Sequence, residues 1–488
     1  MVSVPSTRPQ HQITMRLGAM IRVSGLPTPI YAELCKKLRV KNPAHQRSLR
    51  FRGFRDPSIP KWICGHVPDG DDLLIAPGAG KMLWDELQRH GVTPAVIYDR
   101  EEPVMRPIEY DASDLDPATL ALQREAIWAI GDRRQSVCVA PCGGGKTDVG
   151  LQWACAYGYC TLIIVGSKAI MREWVNRIVK RTGGDPVTIG GDGKKRAFTP
   201  ETPWIVATWQ SLAAHPELVY SLAKHRLALI VDECHHTPAE RMMQLVLQLN
   251  PWVRLGLTAT PKRQDGLMPV MEWILGPVVA KIHRQDLEDV RRLARPTVEL
   301  VVTPFVCDYN PDSPGDYDRL LKLLHADAGR HALVLREVVT RWRRDHGYHL
   351  VLCGSVAYAD KLALDLQREL GASASVSALH ARMPTADKRG ILNELCSKQI
   401  DICVATTLAD EGLDAPHLTH GYAITPCSSE SKVEQRVGRI ARACPGKPKP
   451  VWVDFVDPHV TAERVSADGE TYIARIFLNQ LKRRMPVY

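Results

Sequence analysis

Ala140-Pro-Cys-Gly-Gly-Gly-Lys146-Thr147 follows a short β-rich run, Ser136–Val139, and precedes an amphipathic helical pattern that extends through Tyr157. The spacing is that of the phosphate-cradling loop G-x-x-x-x-G-K-[ST], with Ala140 at the first glycine. Gly143, Gly144 and Gly145 let backbone N–H groups curl around a β-phosphate at a helix N-terminus, where the dipole favours negative charge. Lys146 would reach the β- and γ-phosphates, and the Thr147 hydroxyl would hold Mg²⁺. A similar string, Ala76-Pro-Gly-Ala-Gly-Lys81-Met82, lacks that hydroxyl. Met82 cannot ligate Mg²⁺, so this second string reads as a turn before a helix.

A second constellation completes the chemistry. Leu227–Val231 is an apolar run that ends in Asp232-Glu233-Cys234-His235. Carboxylates at the C-terminal end of a buried strand sit at the ligand edge of a parallel sheet. There Asp232 can hold Mg²⁺ through water, and Glu233 can orient and deprotonate an attacking water. Taken alone, the acid pair could equally cap the next helix. With a phosphate loop upstream in the same segment, hydrolysis of a nucleoside triphosphate is the stronger reading.

These residues need a scaffold, and the pattern around them supplies one. From about Ile108 to the 280s, short β-rich runs alternate with helical patterns, and the alternation resumes after the turn-rich Asn310-Pro-Asp-Ser-Pro-Gly315. Alternation of this kind implies parallel sheets with flanking helices. The expected organisation is an α/β chain with a smaller N-terminal accessory domain, residues 1–106, and a first α/β domain, 107–285. A linker, 286–330, then leads to a second α/β domain, 331–488.

Composition adds bounds. The 488 residues suffice for more than one core. No apolar run approaches the ~18 residues of a membrane span, and the N-terminus has no apolar signal segment, so a cytoplasmic protein without a membrane partner is expected. Thirteen scattered cysteines without a C-x-x-C pair read as reduced thiols. Residues 1–60 hold eleven Lys/Arg against Glu33 and Asp56, and the remainder balances at 52 of each sign, so the whole net charge of +9 lies in that segment. A polyanion such as nucleic acid is the functional reading, and a solvated basic face is the bland one.

D-E-x-H following G-K-T resembles the DEAD/DEAH-box helicases of superfamily 2, whose further blocks occur here in order. The resemblance implies two tandem RecA-like domains, ATP with Mg²⁺, and a nucleic-acid partner. Gln123, in Leu122-Gln-Arg-Glu-Ala126, is similar to the glutamine that reads adenine. Thr258 and Thr260, in Leu257-Thr-Ala-Thr-Pro261, together with His235, resemble the residues that couple nucleotide state to domain closure. Ser167 and Lys168 of Val165-Gly-Ser-Lys168, and Thr208 and Gln210 of Ile205–Ser211, stand where relatives touch strand phosphates. Thr406, Gly412 and Asp414, in Ala405–Asp414, match the block that meets both strand and nucleotide. Gln435-Arg-Val-Gly-Arg-Ile-Ala-Arg442 matches Q-x-x-G-R-x-x-R, which implies a nucleotide contact for Gln435 and γ-phosphate fingers for Arg439 and Arg442. The same three-residue spacing would also align Arg436, Arg439 and Arg442 on one basic helix face. Cys142 and Cys234 depart from the usual threonine and small residue without removing any of these ligands.

Thr258-Ala-Thr-Pro-Lys-Arg-Gln-Asp-Gly266 resembles the T-A-T-P-x-R-x-D-G of the DNA-directed XPB-type and phage UvsW-like group. The resemblance therefore implies an ATP-dependent DNA helicase or translocase acting on single-stranded, forked or branched DNA. An RNA helicase of the same fold and the motor subunit of a restriction or defence complex stay open as alternatives.

Overall fold

Thr161–Val165 and Ala228–Asp232 are buried along their whole length, as strands covered by helices on both faces require. They lie at the centre of a parallel sheet whose order is Val187–Ile189, Trp204–Thr208, Thr161–Val165, Ala228–Asp232, Val253–Thr258, Gln135–Val139, Val278–Lys281. The computed structural model describes residues 13–99, 103, 105–190, 198–199, 201–225, 227–259, 265–310, 315–406, 415–465 and 471–488, less 53–57 and the side chains of 47, 49–52, 431, 464 and 465. Two compact units result, one of residues 1–140 and 145–283, the other of 141–144 and 284–488. Among the described residues no helix is long and apolar enough to cross a membrane.

The N-terminal residues make a sheet of their own inside the first unit. Its order is His66–Asp69, Asp72–Ile75, Ile21–Ser24, Thr14–Leu17, Ala95–Tyr98, antiparallel except for the last pair. Ile21 and Val23 point inward at period two, while Ile30 and Leu34 of helix Thr28–Lys37, and Leu83 and Leu87 of helix Gly80–Arg89, supply the matching i, i+4 faces. As expected, Pro77–Ala79 is a turn leading into a helix.

Of the six basic residues of 1–60 whose side chains are described, three face acids: Arg22 with Asp69 and Asp72, Arg16 with Asp99, and Lys37 with Glu33 and Glu86. Arg39 lies over the Trp62 ring. Arg8, Arg47, Arg50, Arg52 and Arg55 fall outside the described side chains. The charge excess of the segment is thus partly neutralised by acids further along the chain.

The second unit holds a parallel sheet ordered Thr297–Val302, Val451–Val456, His420–Ala423, His349–Leu352, Ile402–Ala405, Val376–Leu379. Two parallel sheets with flanking helices are the tandem RecA-like architecture. Residues 286–330, expected as a linker, instead build part of this unit. Thr297–Val302 pairs along its length with Val451–Val456, and Val306–Asp308 joins a small sheet with His459–Val465 and Thr471–Arg475. Helix Asp316–Ala326 buries Leu320 and Leu324 beneath that small sheet with Phe305, Val460 and Phe477. The edge strand Thr297–Val302 is half exposed and alternating, which is why it lacks the continuous apolar run of an inner strand.

The thirteen cysteines are free thiols, with Cys64 and Cys396 exposed. Burial pushes the thiols of Cys138 and Cys403 up to about 12 and that of Cys353 to about 11.

The N-terminal sheet is seated on the first RecA-like domain through backbone contact. A Cβ at Gly78 would lie 2.2 Å from the Glu272 carbonyl oxygen and 2.4 Å from the Gly276 nitrogen. Backbone cannot rotate away as a side chain can, so Gly78→Ala is expected to destabilise the protein by about 1–3 kcal/mol. Chemical denaturation checks this: an unchanged midpoint would show the contact to be loose.

Candidate functional site

Parallel register brings the chemistry to one edge of the first sheet. Val139 lies opposite Thr258, and Asp232 opposite Leu257, so the phosphate loop, the acid pair and the start of the Thr258 loop leave the sheet side by side. Gly145 caps helix Lys146–Tyr157 in the left-handed conformation (φ 78°), which suits glycine. A side chain there would also meet the Gln123 amide nitrogen at 2.3 Å. Gln123 is itself buried, and its amide oxygen accepts from Gln152 at 2.8 Å. It therefore packs against the loop at Gly145.

Lys146 reaches across the sheet edge. Its Nζ donates to Glu233 Oε1 at 2.9 Å. Burial alone would raise the Glu233 pKa, but Lys146 and His235 outweigh it and hold the carboxylate well below its usual range. Burial and the neighbouring Glu233 charge push the Asp232 carboxyl up. Asp232 is fixed on both oxygens: Oδ1 accepts from the Glu233 N–H at 2.9 Å, and Oδ2 from the Trp174 indole at 2.8 Å. Glu233 adopts a left-handed backbone (φ 47°), a strained choice for a non-glycine residue that recurs at functional sites. His235 Nδ1 lies 2.9 Å from Thr258 Oγ1 and 3.4 Å from Glu233 Oε2, tying the acid pair to the next strand end.

Ser167, Lys168, Thr208 and Gln210 also cluster at this edge. Ser167 caps helix Lys168–Thr182, accepting from the Ile170 N–H, while Thr208 Oγ1 bonds the Ser211 hydroxyl at 2.8 Å. Gln210 donates across to the Gly166 carbonyl at 2.9 Å, joining the two strand-to-helix turns.

In the second unit, Gln435, Arg436 and Arg439 lie on helix Glu430–Ala441, and Arg442 is its C-terminal cap. Thr406 follows the strand Ile402–Ala405 and is anchored by its N–H to the Leu379 carbonyl. Thr260, Gly412 and Asp414 lie outside the described residues.

Three supporting residues escaped the sequence reading. Trp174, on a helix between the two motifs, orients Asp232. Asp148, directly after Lys146-Thr147, is buried and accepts from Tyr110, Arg177 and Arg181, pinning the helix that carries the lysine. Lys447 donates to the carbonyls of Pro416, Ile440 and Arg442 at 2.7, 2.6 and 2.8 Å, and burial draws its pKa down to about 8. Opposite this cap, Ala294 donates to the Ala441 carbonyl at 2.7 Å, and Leu293 pairs with Arg442.

A family model described as the type III restriction enzyme res subunit matches residues 117–263, and one described as the helicase conserved C-terminal domain matches 330–444. The chain is 24% identical over 362 residues to the DNA 3′-5′ translocase XPB2 of Sulfurisphaera tokodaii, covering 66% of this chain and 77% of that protein. It is 26% identical over 462 residues to the DNA 3′-5′ helicase XPB of Mycobacterium tuberculosis, covering 88% and 80%. Among solved structures, the fragment of a putative HsdR subunit of a type I restriction enzyme from Vibrio vulnificus matches with a TM-score of 0.52 at 19% identity, covering 74% of this chain and 73% of that chain. Dbp5 of S. cerevisiae bound to RNA and ADP BeF3 matches at 0.51 and 14%, covering 77% and 92%. Both structural likenesses bear on the fold alone.

Lys447→Met leaves three carbonyls at the end of the arginine helix without their donor. Hydrogen bonds to charged groups are worth about 1.5–3 kcal/mol each, offset here by the burial of the ammonium. We expect a net loss of about 2–3 kcal/mol, read as an earlier urea transition of the full chain. Wild-type stability in this variant would show that the cap is dispensable.

Proposed function

We propose that this chain, which belongs to the superfamily 2 helicases of the XPB and UvsW type, binds Mg²⁺-ATP on its phosphate loop and uses hydrolysis to move along or remodel DNA. The observation that carries this reading is the Lys146–Glu233 contact, flanked by Asp232, at the C-terminal edge of a parallel sheet. The named DNA 3′-5′ translocase and helicase relatives support DNA as the track and 3′-to-5′ as the direction. A single-stranded, forked or branched DNA is the proposed substrate. The res-subunit match favours, as a second reading, the motor of a restriction or defence assembly.

The side chains suit the ligand. Gly143 and Gly145 both hold the left-handed backbone that suits a phosphate-wrapping turn, and Gly145 could carry no side chain without striking Gln123. Thr147 and Asp232 are the residues proposed to hold Mg²⁺, which would offset charge on the transferring phosphoryl group.

In the arrangement described, Lys146 neutralises Glu233, so the carboxylate is a weak base. Transfer of Lys146 to the β- and γ-phosphates removes that counter-charge. Glu233, released, gains basicity and takes a proton from the attacking water. His235, bonded to Thr258, is placed to pass the loss of the Lys146–Glu233 pair to the loop after the strand, the proposed coupling route with Thr260. Gln123, Gly412, Asp414 and Gln435 are proposed nucleotide contacts. Ser167, Lys168, Thr208, Gln210 and Thr406 are proposed contacts to the strand, and Arg439 and Arg442 to the γ-phosphate.

ATPase rates with single-stranded, duplex and forked DNA and with RNA, measured side by side, test the reading. DNA should raise the rate well above RNA. Stimulation by RNA alone would overturn the choice of track. Lys146→Ala should abolish hydrolysis, whereas Glu233→Gln should retain ATP binding and lose turnover by at least ~100-fold, the range of general base catalysis.

The arginines make a separate prediction. Arg439→Ala or Arg442→Ala should depress kcat by about 10³-fold while leaving ATP affinity within a few-fold, as for groups engaged at the transition state. A variant that only raised KM would move that arginine to ground-state binding.

A further inference from the structure

Arg254 is the second residue of the strand Val253–Thr258, at the opposite end from the phosphate loop. Its side chain is 2% exposed, and Nε and Nη2 have no hydrogen-bond partner among the described residues. Among the described residues no acid pairs with it, and burial draws its pKa down to about 9. A buried guanidinium without a counter-ion is costly, and nothing in the strand requires one there. In register with it, the neighbouring strands carry Gln135, Leu229 and, one strand further, Leu162.

This arginine forms part of the wall of a cavity of about 380 Å³ within the first unit, between the N-terminal sheet and the lower edge of the RecA-like sheet. That volume falls in the ~300–1,000 Å³ range of small-ligand pockets. Trp84, Tyr98, Trp252 and apolar residues such as Met15 and Ile21 make up much of the lining, with the polar Gln135 and Asn250 among them. Arg134 is sandwiched, with its guanidinium carbon 3.4 Å from the Trp252 ring centroid and 4.4 Å from that of Tyr98. Trp84 and Tyr98 are 39% and 54% exposed, so flat aromatic faces are available at the mouth. Lys81, from the string that imitates a phosphate loop, lies on the rim with its ammonium held by Asp85 at 2.6 Å.

A guanidinium fork recognises phosphate, and aromatic walls recognise a nucleobase. We propose that this cavity is a second ligand site, separate from the ATP site, that takes a nucleoside monophosphate unit with its phosphate on Arg254 and its base against Trp84 and Tyr98. The unit comes either as a free nucleotide or as the end of a nucleic-acid strand. The site is distinct from the hydrolytic one by roughly 13 Å of strand, the rise from Gln135 to Val139. Because it joins the N-terminal sheet to the motor domain, occupancy would brace the accessory domain against the sheet that carries the acid pair.

Thymidine 5′-monophosphate is the probe, since it lacks adenine and a triphosphate. Its binding to the full chain is measured by isothermal titration, beside thymidine and a 5′-phosphorylated oligothymidine. The expected result is binding to wild type and to Lys146→Ala alike, at least tenfold weaker in Arg254→Met and in Trp84→Ala, with thymidine much weaker than its phosphate. Arg254-dependent binding of the oligonucleotide alone would identify the strand end as the source, and of the mononucleotide alone the free nucleotide. Should Arg254→Met fail to fold, as judged by circular dichroism, Trp84→Ala decides. The proposal is overturned if neither phosphate ligand binds wild type, if affinity is unchanged in the folded variants, or if Lys146→Ala abolishes binding. That last result would place the ligand in the ATP site.

Discussion

Parallel register in the first RecA-like sheet is the constraint on which the rest depends. Val139 opposite Thr258, and Asp232 opposite Leu257, make three separate chain segments turn away from the sheet at one level. A slip of one residue would turn Asp232 and its neighbours to the other face and part Lys146 from Glu233. The fully buried strands specify that register, because every side chain along Thr161–Val165 and Ala228–Asp232 has a packed neighbour. The same register sets the opposite edge, where Gln135 lies opposite Arg254 and Arg134 and Trp252 immediately precede the two strands.

The phosphate loop and the acid pair were legible because their requirements are local. A glycine at a left-handed helix cap, a lysine one residue later and two acids at a strand end can be recognised from spacing alone. Their supports were not. Trp174 lies 58 residues from Asp232, and Arg181 lies 33 from the buried Asp148 it pairs with. Nothing near either residue in sequence marks the partner. Lys447, in a proline- and glycine-containing loop between a helix and a strand, reads as an ordinary surface lysine until the carbonyls around it are seen.

The misread linker and the acid-paired basic segment share one cause. Thr297–Val302 carries a glutamate and alternates in exposure, so it lacks the apolar continuity of an inner strand and passes for a linker. The basic excess of residues 1–60 is real as a count, yet charge summed along a chain ignores partners brought from elsewhere. Asp69, Asp72, Glu86 and Asp99 return to that segment through the fold. Both are tertiary effects, invisible in a window of local sequence.

The uneven burial of the thiols has a practical consequence. Cys64 and Cys396 are exposed, one in each unit, whereas Cys138, Cys234, Cys353 and Cys403 are buried with their thiols held protonated. Alkylation requires a thiolate that the reagent can reach. Brief maleimide treatment near neutral pH should therefore favour the two exposed positions, placing a donor and an acceptor dye on the natural sequence. Energy transfer between them would then follow the separation of the two units through a catalytic cycle, with no engineered cysteine to disturb either sheet.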